Sequence, residues 1–177
     1  MRALIIAGMP GAGKEELVAV AQGLKWNVVR MGDVVRAEAT RQVVPTARST
    51  GQFAHEQRQV HGTDIWAKRT LQAMDASRTV IDGCRSQAEA VTFRRELGEE
   101  LQVLAVHSSP RTRYPRLVSR GRSDAPANWD EFQERDRREM GWGLGDLIAT
   151  ADIMIVNEGS LQDFKSECQE ILRSLSP

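Results

Sequence analysis

Gly8-Met9-Pro10-Gly11-Ala12-Gly13-Lys14-Glu15-Glu16 follows the apolar run Ala3-Leu4-Ile5-Ile6-Ala7 and opens a stretch in which Leu17, Val20, Ala21 and Leu24 recur on one helical face. A strand, a glycine-rich turn and a helix in that order are the setting of a phosphate-binding loop. Glycines let the backbone curl until successive N–H groups point inward, and the helix start adds about half a positive charge. Lys14 completes the cradle by reaching the outer phosphates. The pattern assigns Gly8, Met9, Pro10, Gly11, Ala12, Gly13, Lys14, Glu15 and Glu16 to polyphosphate contact.

Outward from this loop, apolar and β-branched runs recur at Ala3 to Ala7, Asn27 to Met31, Thr79 to Ile81, Leu101 to His107 and Asp152 to Val156. They are hydrophobic throughout rather than alternating, as strands covered on both faces must be, so five parallel strands in an α/β fold are expected. Gly13 to Leu24 reads as the first crossover helix. Ser86 with Glu89, Asn128 with Glu131 and Ser160 with Asp163 are N-terminal capping signatures, with helices running to about Leu97, Met140 and Leu175. Val43 to Gly62 and Ser119 to Asn128 fit neither period and read as loops or small inserts over the sheet's carboxyl edge.

A chain of 177 residues with 41% hydrophobic and 27% charged side chains suits one domain over 1–177 with a single core. Twenty-four basic residues balance twenty-four acidic ones, so no global field draws the molecule to nucleic acid or anionic lipid. No apolar run reaches the roughly 18 residues of a membrane span, and none resembles a signal peptide, so a cytoplasmic protein is expected. Cys84 and Cys168 are expected to be free thiols, and no zinc-ligand spacing is present.

Glu15 stands where a phosphate-binding loop usually carries the Ser or Thr that ligates Mg²⁺. A carboxylate there has three uses: holding magnesium through water, repelling a γ-phosphate, or complementing the helix dipole. The sequence leaves them open. Two carboxylate and arginine pairs stand just past strand ends: Asp33 and Arg36 in Met31-Gly32-Asp33-Val34-Val35-Arg36, Asp82 and Arg85 in Val80-Ile81-Asp82-Gly83-Cys84-Arg85. Arginine offers a planar fork to phosphate, and aspartate can orient a magnesium-bound water or accept a hydroxyl proton. The structural alternatives are a helix cap and its ion-paired arginine. Arg111, Arg113, Arg116, Arg120 and Arg122 occur with no acidic residue from Leu101 to Ser123. That is the strongest local positive charge, suited to a cover that neutralises a transferring phosphoryl group and excludes water. Trp66, Trp129 and Trp142 read as packing residues, and His55 and His61 receive no role.

These residues resemble the GD-x-x-R and DG-x-x-R elements of adenylate kinase and other nucleoside monophosphate kinases. With His107-Ser108-Ser109-Pro110-Arg111-Thr112-Arg113, Arg120-Gly121-Arg122-Ser123-Asp124, Glu134-Arg135-Asp136-Arg137-Arg138-Glu139 and Asn157-Glu158-Gly159-Ser160, the chain resembles an archaeal, adenylate-kinase-related P-loop kinase family over nearly its full length. That family is itself similar to dephospho-CoA kinase. The resemblance implies a three-layer P-loop NTPase fold with a five-stranded parallel sheet in the order 2-3-1-4-5. It also implies an acceptor-binding insert at 37–76, an arginine-bearing lid with its following helix at 111–140, and ATP and Mg²⁺ as cofactors. By matching motifs, Lys14 contacts donor phosphates, Asp33 and Arg36 face the acceptor, and Asp82, Gly83 and Arg85 align it. Glu15 and Asp82 hold magnesium through water. Arg120 and Arg122 belong to the lid, Arg135 or Arg138 to the helix behind it, and Asn157 to Gly159 lie near the adenine. Three departures stand out: DGCR is one residue short, Glu15 replaces a hydroxyl, and Pro115 is expected to interrupt the helix after strand four.

The expected activity is ATP- and Mg²⁺-dependent phosphoryl transfer to a small phosphorylated acceptor, a nucleotide or phosphorylated metabolite. The alternatives are transfer to a hydroxyl, with Asp33 as general base, and a nucleotide-binding regulator or slow ATPase. Zero net charge argues against nucleic acid as a partner, leaving an RNA or DNA hydroxyl only as an acceptor. The acceptor's identity, ATP against GTP, and the oligomeric state are not fixed by the sequence.

Overall fold

The computed structural model describes residues 3–42, 50–74, 78–98, 100–121 and 124–175. In chain order these form β1 (Ala3–Ala7), α1 (Lys14–Gly23), β2 (Asn27–Arg30), α2 (Met31–Arg41), α3 (Thr50–His61), α4 (Ile65–Gln72), β3 (Thr79–Asp82), α5 (Gln87–Leu97), β4 (Gln102–His107), α6 (Pro110–Ser119), α7 (Trp129–Gly141), α8 (Leu144–Ala149), β5 (Ile153–Val156) and α9 (Leu161–Ser174). The strands make one parallel sheet in the order β2-β3-β1-β4-β5, with Ile5 of β1 opposite Ile81 of β3 and Val103 of β4. From β1 the chain passes through α1 to β2 on one side, while β4 flanks β1 on the other. The crevice therefore opens beyond the carboxyl end of β1, where open parallel sheets bind ligands.

Every residue of β1 is buried, which accounts for its unbroken apolar run. Ala3, Ile5 and Ala7 join Phe53, Trp66, Phe93 and Leu144 on one side of the sheet. Leu4 and Ile6 point the other way, to Leu17, Phe164, Cys168 and Leu172 of α1 and α9. Each such side chain contributes roughly 1.5–3 kcal/mol on burial. The three capping signatures form as expected: Ser86, Asn128 and Ser160 accept from the backbone N–H of Glu89, Glu131 and Asp163 at 3.3, 2.9 and 3.1 Å.

Val43 to Gly62, expected as a loop or small insert, is not a loop in its described part, which forms the helix α3. Only Phe53 and Ala54 of α3 are buried, too few to print a helical stripe on the sequence. Residues 43–49 lie outside the described residues. Pro115 does not interrupt α6, which runs through it. The ring removes a donor to the Arg111 carbonyl, but both residues are exposed, so water can satisfy that oxygen. Strand β2 ends at Arg30, and Met31 already opens α2, which puts the Gly32-Asp33 motif on a helix. Among the described residues no helix is long and apolar enough to cross a membrane.

Candidate functional site

The loop between β1 and α1 is held from outside by its own carbonyls. Asn157 Nδ2 donates to the Ala12 carbonyl at 2.8 Å, Ser108 Oγ approaches the same oxygen at 3.3 Å, and Ala12 N–H closes onto Met9 at 3.1 Å. Gly13 has φ +113°, and a Cβ there would collide with that Asn157 amide and crowd Phe164. Gly11 has φ +82°, and a Cβ would come within 2.9 Å of the Arg113 carbonyl oxygen. Close approach and left-handed backbone together require glycine at both positions.

Lys14 folds back so that its Nζ donates to the carbonyls of Gly8 at 2.6 Å and Met9 at 3.3 Å. The ammonium is enclosed by the loop while the side chain as a whole stays partly open to the cleft. Loss of water lowers its pKa from 10.5 to about 8, against the pull of Asp82 and Glu139 and with the help of Arg85 and Arg135. These four groups come from β3, the turn after it and α7, so Asp82 and Arg85, expected on the acceptor side, act on the charge of the loop's lysine.

A cleft of about 1980 Å³ surrounds that nitrogen. Of the loop, Gly8, Pro10, Gly11, Gly13, Lys14, Glu15 and Glu16 line it, whereas Met9 lies just outside and Ala12 is buried beneath. Arg36, Asp82, Gly83, Arg85, Arg120, Arg135 and Arg138 line the cleft as well. Asp82 is mostly enclosed and lies 3.8 Å from Arg30. One amine of Arg85 binds the buried Glu139 carboxylate, and its guanidinium stacks 5.0 Å over Trp142. Arg135 is held by the Asp124 side chain and carbonyl, both at 2.8 Å. Arg122 lies outside the described residues.

One expectation is corrected, and the residues expected near the adenine divide. Asp33 does not line the cleft: its side chain is 62% exposed and paired to Arg36, because α2 begins at Met31 and turns position 33 outward. Asn157 lines the cleft, but its side-chain amide is spent on the phosphate loop. It is 5% exposed, with Nδ2 on Ala12 and its carbonyl held by Ser108 Oγ at 2.7 Å and Arg116 Nη1 at 3.2 Å. Gly159 is exposed and outside the cleft. Its neighbour Glu158 binds Thr112 Oγ1 and the Ser109 N–H at the start of α6, hydrogen bonds that hold its carboxyl below the usual range.

Glu15 reaches across the mouth of the cleft to Arg120 at 2.8 Å, so its carboxylate already has a cation. Arg30, Glu139 and Trp142 belong to the cleft although the sequence assigns none of them a role there. Cys84 sits in the cleft floor, where burial pushes its thiol well up and Arg85 turns away to Glu139, leaving an inert filler. Trp66 is fully buried with its indole N–H on Ala54 at 3.0 Å, and Trp129 packs against Tyr114 and Phe132. Among the described residues no three His, Cys, Asp or Glu converge as a metal cage. Mg²⁺ takes most of its ligands from water and substrate phosphates and needs only one or two protein carboxylates. Asp82, a cleft carboxylate, meets that need.

A sequence family described as an AAA domain matches residues 7–133. The UPF0200 protein of Hyperthermus butylicus is 42% identical, over 98% of this chain and 94% of its own. Among solved structures, the shikimate kinase of Bacteroides thetaiotaomicron superposes with a TM-score of 0.67 at 15% identity, covering 97% of this chain and 98% of its own. A gluconokinase of Sinorhizobium meliloti gives 0.64 at 12%, covering 99% and 93%. At such identities the two kinases establish a shared fold, the α/β P-loop architecture with the strand order described above.

Proposed function

The chain belongs to the UPF0200 family, and from that premise we propose that it catalyses ATP- and Mg²⁺-dependent phosphoryl transfer to a small phosphorylated acceptor. The observation that carries the reading is the Lys14 ammonium, held on the Gly8 and Met9 carbonyls in the cleft that Asp82, Arg85, Glu139 and Arg135 also line. In this reading the loop amides and Lys14 hold the donor's outer phosphates, and Arg36 and Arg85 grip the acceptor. Each arginine has one amine on a carboxylate, which fixes its plane while the rest of the fork remains for phosphate oxygens. The γ-phosphorus leaves the bridging oxygen of ADP as its bond to the acceptor oxygen forms. An acceptor phosphate is already anionic, so alignment and charge neutralisation carry the reaction without a base. Mg²⁺, when bound, neutralises the transferring oxygens; Asp82 would orient its water.

A hydroxyl acceptor is the second reading, favoured by Asp82, a cleft carboxylate that acts on Lys14. Asp82 then replaces Asp33 as the candidate general base. The Glu15–Arg120 pair favours a third use, as a slow ATPase or nucleotide-responsive regulator, since a carboxylate at the loop mouth opposes an incoming γ-phosphate. The decisive experiment incubates the protein with ATP, Mg²⁺ and a metabolite pool and seeks a phosphorylated product by mass spectrometry. A product is expected from the wild type and none from Lys14→Ala, while Arg36→Ala raises the acceptor KM. Near-normal turnover by Lys14→Ala would reject the cradle. Tight ATP binding without product, across nucleoside monophosphates and dephospho-CoA, would favour the regulator.

A further inference from the structure

Arg113 sits in the run of arginines on α6 but faces the protein interior, with 3% of its surface exposed. Its Nη1 and Nη2 meet Asp136 of α7 side-on, at 2.9 and 2.5 Å, and its Nε donates to the Ser108 carbonyl at 3.0 Å. The same Nη1 donates to the Pro10 carbonyl, in the phosphate loop, at 3.1 Å. The guanidinium also lies 4.9 Å over Phe132 of α7. One planar cation thus joins the turn after β4, the phosphate loop and α7, using donors that a lysine could not place together.

The contact with Pro10 has a directional consequence. Across a planar trans peptide the C=O of one residue and the N–H of the next point to opposite sides. Holding the Pro10 oxygen on the α6 side therefore turns the Gly11 N–H toward the other side, into the cleft. The Ala12 oxygen, held by Asn157, does the same for Gly13. Asp136 is flanked on α7 by Arg135 and Arg138, which both line the cleft, so the pair also sets the rotation of that helix.

We propose that Arg113, oriented by Asp136, is a positioning residue of the phosphate site: it fixes the Pro10–Gly11 peptide plane so that the Gly11 amide faces a bound phosphate. The inference rests on the nucleotide-binding reading. It also separates the arginines of α6 by task, since Arg113 acts through the loop and touches no substrate.

The test must separate positioning from mere folding. Replacing one member of a buried pair strands the other charge, whereas an apolar replacement of both is often neutral or stabilising. Wild type, Asp136→Asn, Arg113→Lys and the double variant Arg113→Met/Asp136→Leu are titrated calorimetrically with ATP and with inorganic tripolyphosphate, and melted in parallel. Asp136→Asn should melt earlier. The double variant should melt near the wild type yet bind tripolyphosphate at least about tenfold more weakly, because nothing then holds the Pro10 carbonyl. Arg113→Lys, which keeps the charge but not the fork, should show the same loss and decides the matter if the double variant does not fold. Affinity within twofold of wild type in a folded double variant, or in Arg113→Lys, overturns the proposal and leaves the nucleotide reading intact. Failure of the wild type to bind either probe overturns both.

Discussion

Lys14 gives the nucleotide site a pH dependence whose direction and size follow from its burial. Free, the ammonium titrates at about 8 instead of 10.5 because the loop strips its water. At pH 7 the folded chain carries a cost of about 3 kcal/mol for keeping this group charged, from 1.36 kcal/mol per unit. Between the two pKa values the unfolded chain holds more protons than the folded one. The contribution of Lys14 to stability therefore rises as pH climbs from about 8 to 10.5. A triphosphate reverses the balance: several negative oxygens beside the ammonium return its pKa to the ordinary range, so binding takes up a proton whenever Lys14 began neutral. At pH 7 about ten sites in eleven are already protonated, and at pH 9 about one in eleven. Apparent ATP affinity should then be about tenfold weaker at pH 9 than at pH 7, with about half a proton taken up per nucleotide at pH 8. Calorimetric titration at pH 7, 8 and 9 in buffers of different ionisation enthalpy reads both quantities. Lys14→Met should bind more weakly and lose the slope. Affinity flat to within twofold across that window, or net proton release, would refute the placement of this ammonium against the phosphates.

Gly13→Ala forces a side chain into left-handed backbone against Asn157, so it should lose at least about 1–2 kcal/mol of stability and most ATP affinity; an unchanged melting curve would contradict the collision. Glu15→Ser removes a solvent-exposed pair, which should leave the melting temperature nearly unmoved, yet it takes a negative charge from the loop mouth. Its affinity for MgATP should rise several-fold by the same calorimetry, and a fall would mean that Glu15 holds the metal. With a phosphorylatable acceptor in hand, Asp82→Asn should lower turnover about 10²-fold and Asp33→Asn no more than roughly threefold. The opposite ranking would return the proton-accepting role to the exposed carboxylate.

What the sequence disclosed and what it hid divide by the range of the interaction. The cradle was legible because strand, glycines, lysine and helix are consecutive, and the caps of α5, α7 and α9 because each pairs residues three apart. Sheet order was available only through family resemblance, since spacing carries no record of which strands lie side by side. Asp33 misled because one helical residue rotates a side chain by about 100°, and starting α2 at Met31 spends that rotation on turning the carboxylate to solvent. Asn157 and Arg113 were illegible as loop supports, because their partners Ala12 and Pro10 stand 145 and 103 positions away.

The arginines of α6 and its C-terminal cap carry the point further. Arg113, Arg116 and Arg120 are three and then four residues apart, so they share one face, and the sequence read them as equivalent charges over a phosphate. Along the axis they span about 10 Å, and that depth decides what each one can reach. Arg113 lies beneath the loop against Asp136 and Pro10, Arg116 meets Asn157 and Ser108 halfway, and Arg120 reaches Glu15 at the mouth. A buried cation with a fixed carboxylate is suited to hold backbone, whereas an exposed one can exchange its partner for a phosphate. Of the three, only Arg120 can trade its carboxylate for an incoming nucleotide without leaving a buried charge behind, which is why Glu15 and not Asp136 is the substitution expected to raise affinity.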